Sequence, residues 1–198
     1  MVLKHASQPG LIIEARSKFS DLLLTMPAKQ YHTFVDFTDG PLHRGVVVPQ
    51  EVYAAPAGQN FSPQPPLSFS VNGVLGVRLE DALRQPVLGL ADGDVPPNIH
   101  ISSTRLTLRV SWPGYHLSNY QGAIQLFDNK NHSSPRNLTH IAYQIAKCIQ
   151  TFYNEQSRVT GADAGWQLSR YPFERLYLLQ LRQVANGSWQ PVLSVDIP

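Results

Sequence analysis

The sequence has little cysteine: Cys148 is the single one among 198 residues. One cysteine excludes an intramolecular disulfide and a zinc site built from several thiolates. Cys148 lies beside the apolar stripe of a predicted helix, where a small buried side chain is a more common role than a nucleophile. The count favours a reducing compartment, so we expect an intracellular protein, cytoplasmic or nuclear.

Long apolar runs and an excess of charge are also missing. No stretch approaches the ~18–20 apolar residues of a membrane-spanning helix, and the N-terminal MVLKHASQPG lacks the features of a secretory signal. We therefore expect no membrane partner. The net charge is +2, whereas proteins that bind duplexes concentrate far more Lys and Arg on one face, so nucleic acid is not favoured. The 42% hydrophobic and 10% aromatic content indicates a soluble globular protein.

Motifs for catalysis or cofactor binding are absent as well. The sequence contains no phosphate loop, no Gly-rich dinucleotide fingerprint and no Gly-x-Ser-x-Gly elbow. Its seven histidines are scattered, and none stands at i, i+4 from another on a predicted helix. We predict no cofactor and no metal site.

The patterns that are present predict an α+β fold. Segment RLTLRVSW, residues 105–112, alternates apolar and polar residues, as expected of a strand with one wet side. Asn72-Gly73 and Asn186-Gly187 lie between β-prone segments and predict hairpins. Apolar residues at helical spacing predict one long helix over about 135–156, with Ser134 as its cap. We expect this helix to pack on one face of an antiparallel sheet.

Proline divides the chain into two predicted domains. Segment AAPAGQNFSPQPPL, residues 54–67, is rich in proline and has no periodicity, so it is read as a connector. Residues 1–66 then comprise a helix, a hairpin and this connector, and residues 67–198 form the α+β core. The helix, 11–25, is amphipathic; its apolar face, with Phe19, Leu22 and Leu23, packs on its own domain or docks on another chain.

The strand 105–112 ends in the corner Trp112-Pro113-Gly114-Tyr115. Because Trp112 continues the inward alternation, we assign it to the core, with Tyr115 covering the edge of the sheet. The corner is interpreted as architectural rather than as a ligand cage.

Basic residues near this strand form a candidate anion site. Arg105 and Arg109 lie on the wet strand face, and Lys130, His132 and Arg136 follow near the N-terminus of the long helix. Backbone N–H groups and the helix dipole favour a phosphate or carboxylate there. The alternative is that these side chains only keep the surface soluble. A short helix that carries Arg78, Glu80, Asp81 and Arg84 is read as locally ion-paired.

Three segments of the C-terminal part resemble one group of proteins. RVSWPGY, LTHIAYQIAKCIQTFYNE and FERLYLLQLRQVANGSWQP are similar to segments of uncharacterised proteins from mushroom-forming fungi (basidiomycetes). These share a strand that ends in Trp-Pro-Gly-Tyr, a Leu/Ala-rich helix and a C-terminal Gly-Ser-Trp-Gln-Pro hairpin. The resemblance covers roughly residues 67–198, and it implies a source and an architecture but no activity.

The sequence thus predicts a non-catalytic interaction module that engages a protein partner or a second copy of itself, through helix 11–25 or the exposed sheet face. The alternative is a binder of an anionic small ligand or nucleic acid through Arg105, Arg109 and Arg136. A second alternative is an enzyme of unrecognised class whose residues converge from distant segments. Its mark would be a deep polar pocket with two or more of His100, His116, His140, Asp128 and Asp163 pointing into it.

Overall fold

The computed structural model describes residues 42–53, 61–100, 103–115, 120–128 and 134–197. These residues all belong to one unit, His32–Pro198. The predicted helix 11–25, with its candidate contact residues Phe19, Leu22 and Leu23, lies outside the described residues.

Nine strands and two α-helices follow one another in the described part of the chain. They are β1 (Val46–Val47), β2 (Leu67–Ser68), β3 (Ser70–Val71), β4 (Val74–Leu75), β5 (Val77–Arg78), α1 (Leu79–Arg84), β6 (Arg105–Val110), β7 (Tyr120–Gln125), α2 (Leu138–Gln156), β8 (Leu176–Ala185) and β9 (Ser188–Val195).

The β8–β9 hairpin is the centre of the fold. It turns at Asn186-Gly187, where Gly187 has a φ of +69°, which a glycine adopts at no steric cost. Every residue of β9 is buried, and β8 is buried except for two half-exposed positions. The predicted terminal hairpin is confirmed, and so is the hairpin at Asn72-Gly73, which joins β3 to β4.

Both outer edges of this hairpin are covered. β6 and β1 pair with β9, while β2 and β5 pair with β8, and β7 lies beyond β6. All of these pairs are antiparallel except β6 with β9, which run parallel. β1 therefore belongs to the same seven-stranded sheet as β2 and β5–β9, which follow residue 66, whereas β3 and β4 form a separate two-stranded sheet.

Helix α2 packs on one face of the sheet, as the sequence predicts. Its apolar stripe is buried in one cluster with the inward side chains of β6, β8 and β9. The stripe comprises Leu138, Ile141, Ala142, Ile145, Ala146, Ile149 and Phe152. On the opposite face, a smaller apolar cluster contains Leu75, Tyr177, Leu179 and Val192.

The long helix begins at Leu138 with Asn137 as its cap, not at Pro135 with Ser134 as its cap. The preceding residues pair instead with the chain that leaves β7. The N–H of Arg136 donates to the carbonyl of Leu126 at 2.7 Å, and Pro135 forms a bridge with Phe127. Extended pairing satisfies backbone groups that a first helical turn would leave without partners.

The Trp-Pro-Gly-Tyr corner is built into the core. Trp112 is 1% exposed, and its indole N–H donates to the carbonyl of Trp166 at 2.7 Å. The Tyr115 hydroxyl donates to the Val159 carbonyl at 3.0 Å and accepts from the N–H of Leu168 at 3.2 Å. The corner thus holds the segment that follows α2, which agrees with an architectural role.

Gly122 allows β7 to approach α2 closely. A Cβ at this position would lie 2.6 Å from the Cys148 sulfur and 3.2 Å from its Cβ. Cys148 is half-buried, and burial raises the pKa of its thiol. The described environment therefore fits a packing role for this cysteine.

We expect Gly122→Ala to lower the free energy of unfolding by about 1–3 kcal/mol, because the added methyl group overpacks the contact with α2. Urea denaturation measures this loss. The same substitution should cost less in a Cys148→Ala background, where the sulfur is gone. The exposed neighbour Gln121 provides the control, since Gln121→Ala should change stability by no more than about 0.5 kcal/mol. An equal cost of Gly122→Ala in both backgrounds would show that the sulfur is not the obstacle.

Candidate functional site

A buried tyrosine, Tyr177 on β8, forms the floor of the strongest candidate site. It is 3% exposed. Arg78 on β5 is its cross-strand partner, and such partners project side by side from one face of a sheet. The Arg78 guanidinium accordingly donates from Nη2 to the tyrosine hydroxyl at 3.3 Å, and its carbon lies 5.7 Å from the ring centroid.

A second guanidinium reaches the same ring from the segment before β1. The Arg44 guanidinium carbon lies 6.0 Å from the Tyr177 centroid. The backbone of Arg44 makes two hydrogen bonds to the rest of the fold. Its N–H donates to the Leu75 carbonyl at 3.0 Å, and its carbonyl accepts from the Ser194 hydroxyl at 2.6 Å. The next residue, Gly45, has a φ of +70°, and a Cβ there would lie 2.3 Å from the Val195 carbonyl oxygen. Arg44 is thus fixed to the sheet through its main chain.

A third arginine comes from α1. Arg84 forms an ion pair with Glu80, one helical turn earlier, which confirms local ion pairing on this helix. The prediction that the helix also carries Arg78 is wrong, because Arg78 pairs with Tyr177 as part of β5. The Arg84 side chain remains 70% exposed. Since an exposed pair of this type contributes little to stability, its geometry is readily rearranged.

These side chains surround a cavity of about 440 Å³, which we call the arginine pocket. Its polar lining consists of Arg44, Arg78, Arg84, Asp81 and Tyr177. Its apolar lining includes Val71, Val77, Pro86, Val87 and Leu88; Val77 is buried in the core, whereas Leu88 is 83% exposed. The wall therefore carries three guanidiniums and one carboxylate, and the surplus of positive charge favours an anionic group.

The groups around Arg78 favour the protonated, positively charged form of its side chain. The hydrogen bond to Tyr177 is the main cause that raises the pKa of Arg78, and Asp81 and Glu80 act in the same direction. Arg78 therefore stays positively charged throughout the physiological pH range.

The residues of the predicted anion site lie elsewhere. Arg109 projects from β6 towards Tyr53: its guanidinium carbon lies 3.7 Å from that ring centroid, and its Nε donates to the Ser188 hydroxyl at 3.1 Å. Arg105, at the start of β6, is exposed. Arg136 forms an ion pair with Asp128 at 3.2 Å. The structure thus engages Arg109 and Arg136 with different partners; Lys130 and His132 are outside the described residues.

The N-terminus of α2 already uses its first backbone donors. The N–H groups of Leu138 and Thr139 donate to the carbonyls of Val95 and Gly93, at 3.0 and 2.9 Å. The N–H of His140 donates to the Asn137 side chain at 2.9 Å. An anion at this helix end would have to rely on side chains rather than on these N–H groups.

A second cavity, of about 560 Å³, opens beside this helix end, and we call it the α2 cavity. Its charged and titratable lining consists of Asp94, Asp128, Arg136 and His140. Two of the five residues named as the mark of an enzyme, Asp128 and His140, therefore share one polar cavity.

The other three of those five residues are placed differently. The carboxylate of Asp163 accepts from the N–H of Gly165 at 2.9 Å and caps a 3₁₀ turn. The N–H of His100 donates to the Gln64 side chain at 2.7 Å. His116 lies outside the described residues. Within the described ranges, no three His, Cys, Asp or Glu side chains form a group that could hold a metal ion.

The structure and the comparisons with known proteins add two further findings. Among the described residues, no helix has both the length and the apolar character that crossing a bilayer requires. The chain matches no protein-family model, no curated protein and no solved structure. The resemblance to basidiomycete proteins stays a prediction.

Sequence reasoning missed the arginine pocket because its parts are distant along the chain. Arg44 and Tyr177 meet only through the pairing of β1 with β9 and of β9 with β8. The sequence around Arg78 contains no usable signal either, because Arg78 faces Tyr177 only once β5 pairs with β8. That pairing cannot be read from a strand of two residues.

His140 makes acid sensitivity a testable property. Burial, and then the charge of Arg136, lower the pKa of His140 in the folded protein. The unfolded chain then binds the proton more readily, so the contribution of His140 to stability is present above the unfolded pKa of about 6.5 and is lost as the pH falls below it. We expect the melting temperature of His140→Gln to fall less than that of the wild type between about pH 7 and pH 5. An equal fall in both proteins would contradict this role.

Proposed function

We propose that the protein is a non-catalytic protein-interaction module and that the arginine pocket binds an acidic segment of a partner protein. The observation that carries the proposal is the convergence of Arg44, from one segment of the chain, with Arg78 and Arg84, from another, around the pocket whose floor is the buried Tyr177. Charge-assisted hydrogen bonds from guanidiniums to carboxylates are among the stronger polar contacts in proteins.

The shape of the pocket supports a protein partner over a small ligand. Small-ligand sites usually bury most of the surface of their ligand, whereas the three arginines and Leu88 here are exposed. Arginine and tyrosine are also enriched among the residues that dominate protein–protein binding energies. The exposed Leu88 offers apolar area at the rim that a partner would cover.

The other predicted contact surfaces remain compatible with this function. The helix with Phe19, Leu22 and Leu23 stays a prediction of a second contact, with a partner or with another copy of the chain. An intracellular location, cytoplasmic or nuclear, is part of the proposal and is supported by the single cysteine.

An enzyme is the second candidate, and the α2 cavity is the observation that favours it. A histidine whose pKa is lowered is neutral near pH 7 and so has the form that a general base requires. Hydrolysis of chromogenic esters, phosphates and glycosides should be measured for the wild type and for His140→Gln. Turnover that is lost in the variant supports this candidate; turnover equal in both proteins, or no greater than in buffer, removes it.

A defined acidic probe tests the interaction surface. We expect a fluorescein-labelled peptide of ten glutamates to bind the full chain with a strong salt dependence, and Arg44→Glu/Arg78→Glu to weaken binding at least about tenfold. Fluorescence anisotropy measures both effects. Lys147→Glu/Arg158→Glu makes the same change in net charge at two exposed positions outside every proposed site and should weaken binding much less.

An equal loss in the two double variants would show that only net charge matters, and it would remove the arginine pocket from the proposal. Arg44→Glu/Arg78→Glu also removes the hydrogen bond to the buried Tyr177 and should lower the melting temperature; a circular dichroism spectrum like that of the wild type at the temperature of the binding assay verifies that each variant is folded.

A further inference from the structure

The three arginines of the arginine pocket stand at three different places in the fold. Arg44 precedes β1, Arg78 lies on β5 and Arg84 lies in the last turn of α1. A carboxylate presents two oxygens in one plane and is satisfied by a single bidentate arginine. A phosphate monoester presents three peripheral oxygens and carries a charge of about −1.5 to −2 near pH 7. Its geometry suits a cluster of arginines better than that of a carboxylate.

The charge around Tyr177 also favours a phosphate over a carboxylate. The guanidinium carbons of Arg44 and Arg78 both lie within 6.0 Å of one ring centroid. Asp81 is the one carboxylate among the residues that line the pocket, and the nearby Glu80 is paired with Arg84. Two like charges held over one ring gain more from a dianion than from a monoanion, since the attraction scales with the charge of the ligand.

The apolar half of the pocket indicates what carries the anion. Val71 and Val87, both half-buried, line the cavity beside the arginines, and the exposed Leu88 extends this wall to the surface. An inorganic anion would leave that wall exposed to water. An aromatic or branched aliphatic group attached to the anion would cover it and gain the free energy of apolar burial.

We propose that the arginine pocket recognises a phosphate monoester on an apolar body, of the kind that a phosphorylated tyrosine side chain presents. This inference rests on the proposed function and specifies the acidic group of the partner. The guanidiniums hold the phosphate, and the wall from Val71 to Leu88 receives the ring.

Titration of the ¹⁵N-labelled full chain with phenyl phosphate, benzoate and inorganic phosphate, followed by NMR, tests the inference. We expect phenyl phosphate to bind at least about tenfold more tightly than either of the others and to perturb the backbone signals of Arg78, Val87 and Leu88. Its binding should weaken between about pH 7 and pH 5, because the phosphate then takes up its second proton. Arg78→Gln should abolish the preference, whereas Arg158→Gln at an exposed position should keep it.

Each other outcome overturns the inference in a distinct way. Equal binding of benzoate and phenyl phosphate would show a carboxylate site and would leave the acidic partner segment standing. Equal binding of inorganic phosphate would remove the role of the apolar wall. Failure of all three probes, while the glutamate peptide still binds, would overturn the phosphate inference alone; failure of the peptide as well would overturn the proposed function.

One further probe separates the two sources of such a monoester. N-acetyl-phosphotyrosine amide carries the phenyl phosphate group on a peptide backbone. Binding as tight as that of phenyl phosphate, or tighter, supports a phosphorylated protein side chain. Binding at least about tenfold weaker would overturn that source and identify a free small molecule as the ligand.

Discussion

The structure depends on one requirement: the β8–β9 hairpin is buried, and its backbone must find hydrogen-bond partners along both outer edges. Buried N–H and C=O groups that lack partners are costly. No single neighbouring strand runs the length of either edge. Instead, β6 and β1 divide the edge of β9, and β2 and β5 divide the edge of β8. Four segments from different parts of the chain are thereby fixed around one hairpin.

This requirement explains which parts of the fold could be predicted. The two Asn-Gly hairpins and the apolar stripe of α2 depend on neighbouring residues, and local pattern reveals them. Strands of two residues, such as β1 and β5, are too short to show alternation in the sequence. They are strands because their backbone groups pair with an edge of the β8–β9 hairpin. The predicted start of α2 was wrong because Pro135 and Arg136 pair with the chain after β7 instead of forming a helical turn.

At the candidate site, too, the sequence pattern predicted some features and could not predict others. Pattern placed Arg109 on the wet side of a strand, but it could not show that Tyr53 would stack on it. It placed Arg136 near a helix end, but not beside Asp128. An arginine that the sequence pattern predicts to be exposed can contact a residue that is distant along the chain. Which residue it contacts depends on how the strands pair. By the same rule, Arg44 and Arg78 meet over Tyr177, although nothing in their own segments indicates it.

The attachment of β1 has a thermodynamic consequence. β1 pairs with β9 through two residues, Val46 and Val47, and the same short segment brings Arg44 to Tyr177. Any molecule that binds Arg44 together with Arg78 must therefore stabilise this segment on the sheet by the free energy of the Arg44 contact. Conversely, a force or a competitor that detaches the segment must lower the affinity of the pocket by the same amount. Attachment of the segment 44–47 to the sheet and occupation of the pocket are thus linked in one equilibrium.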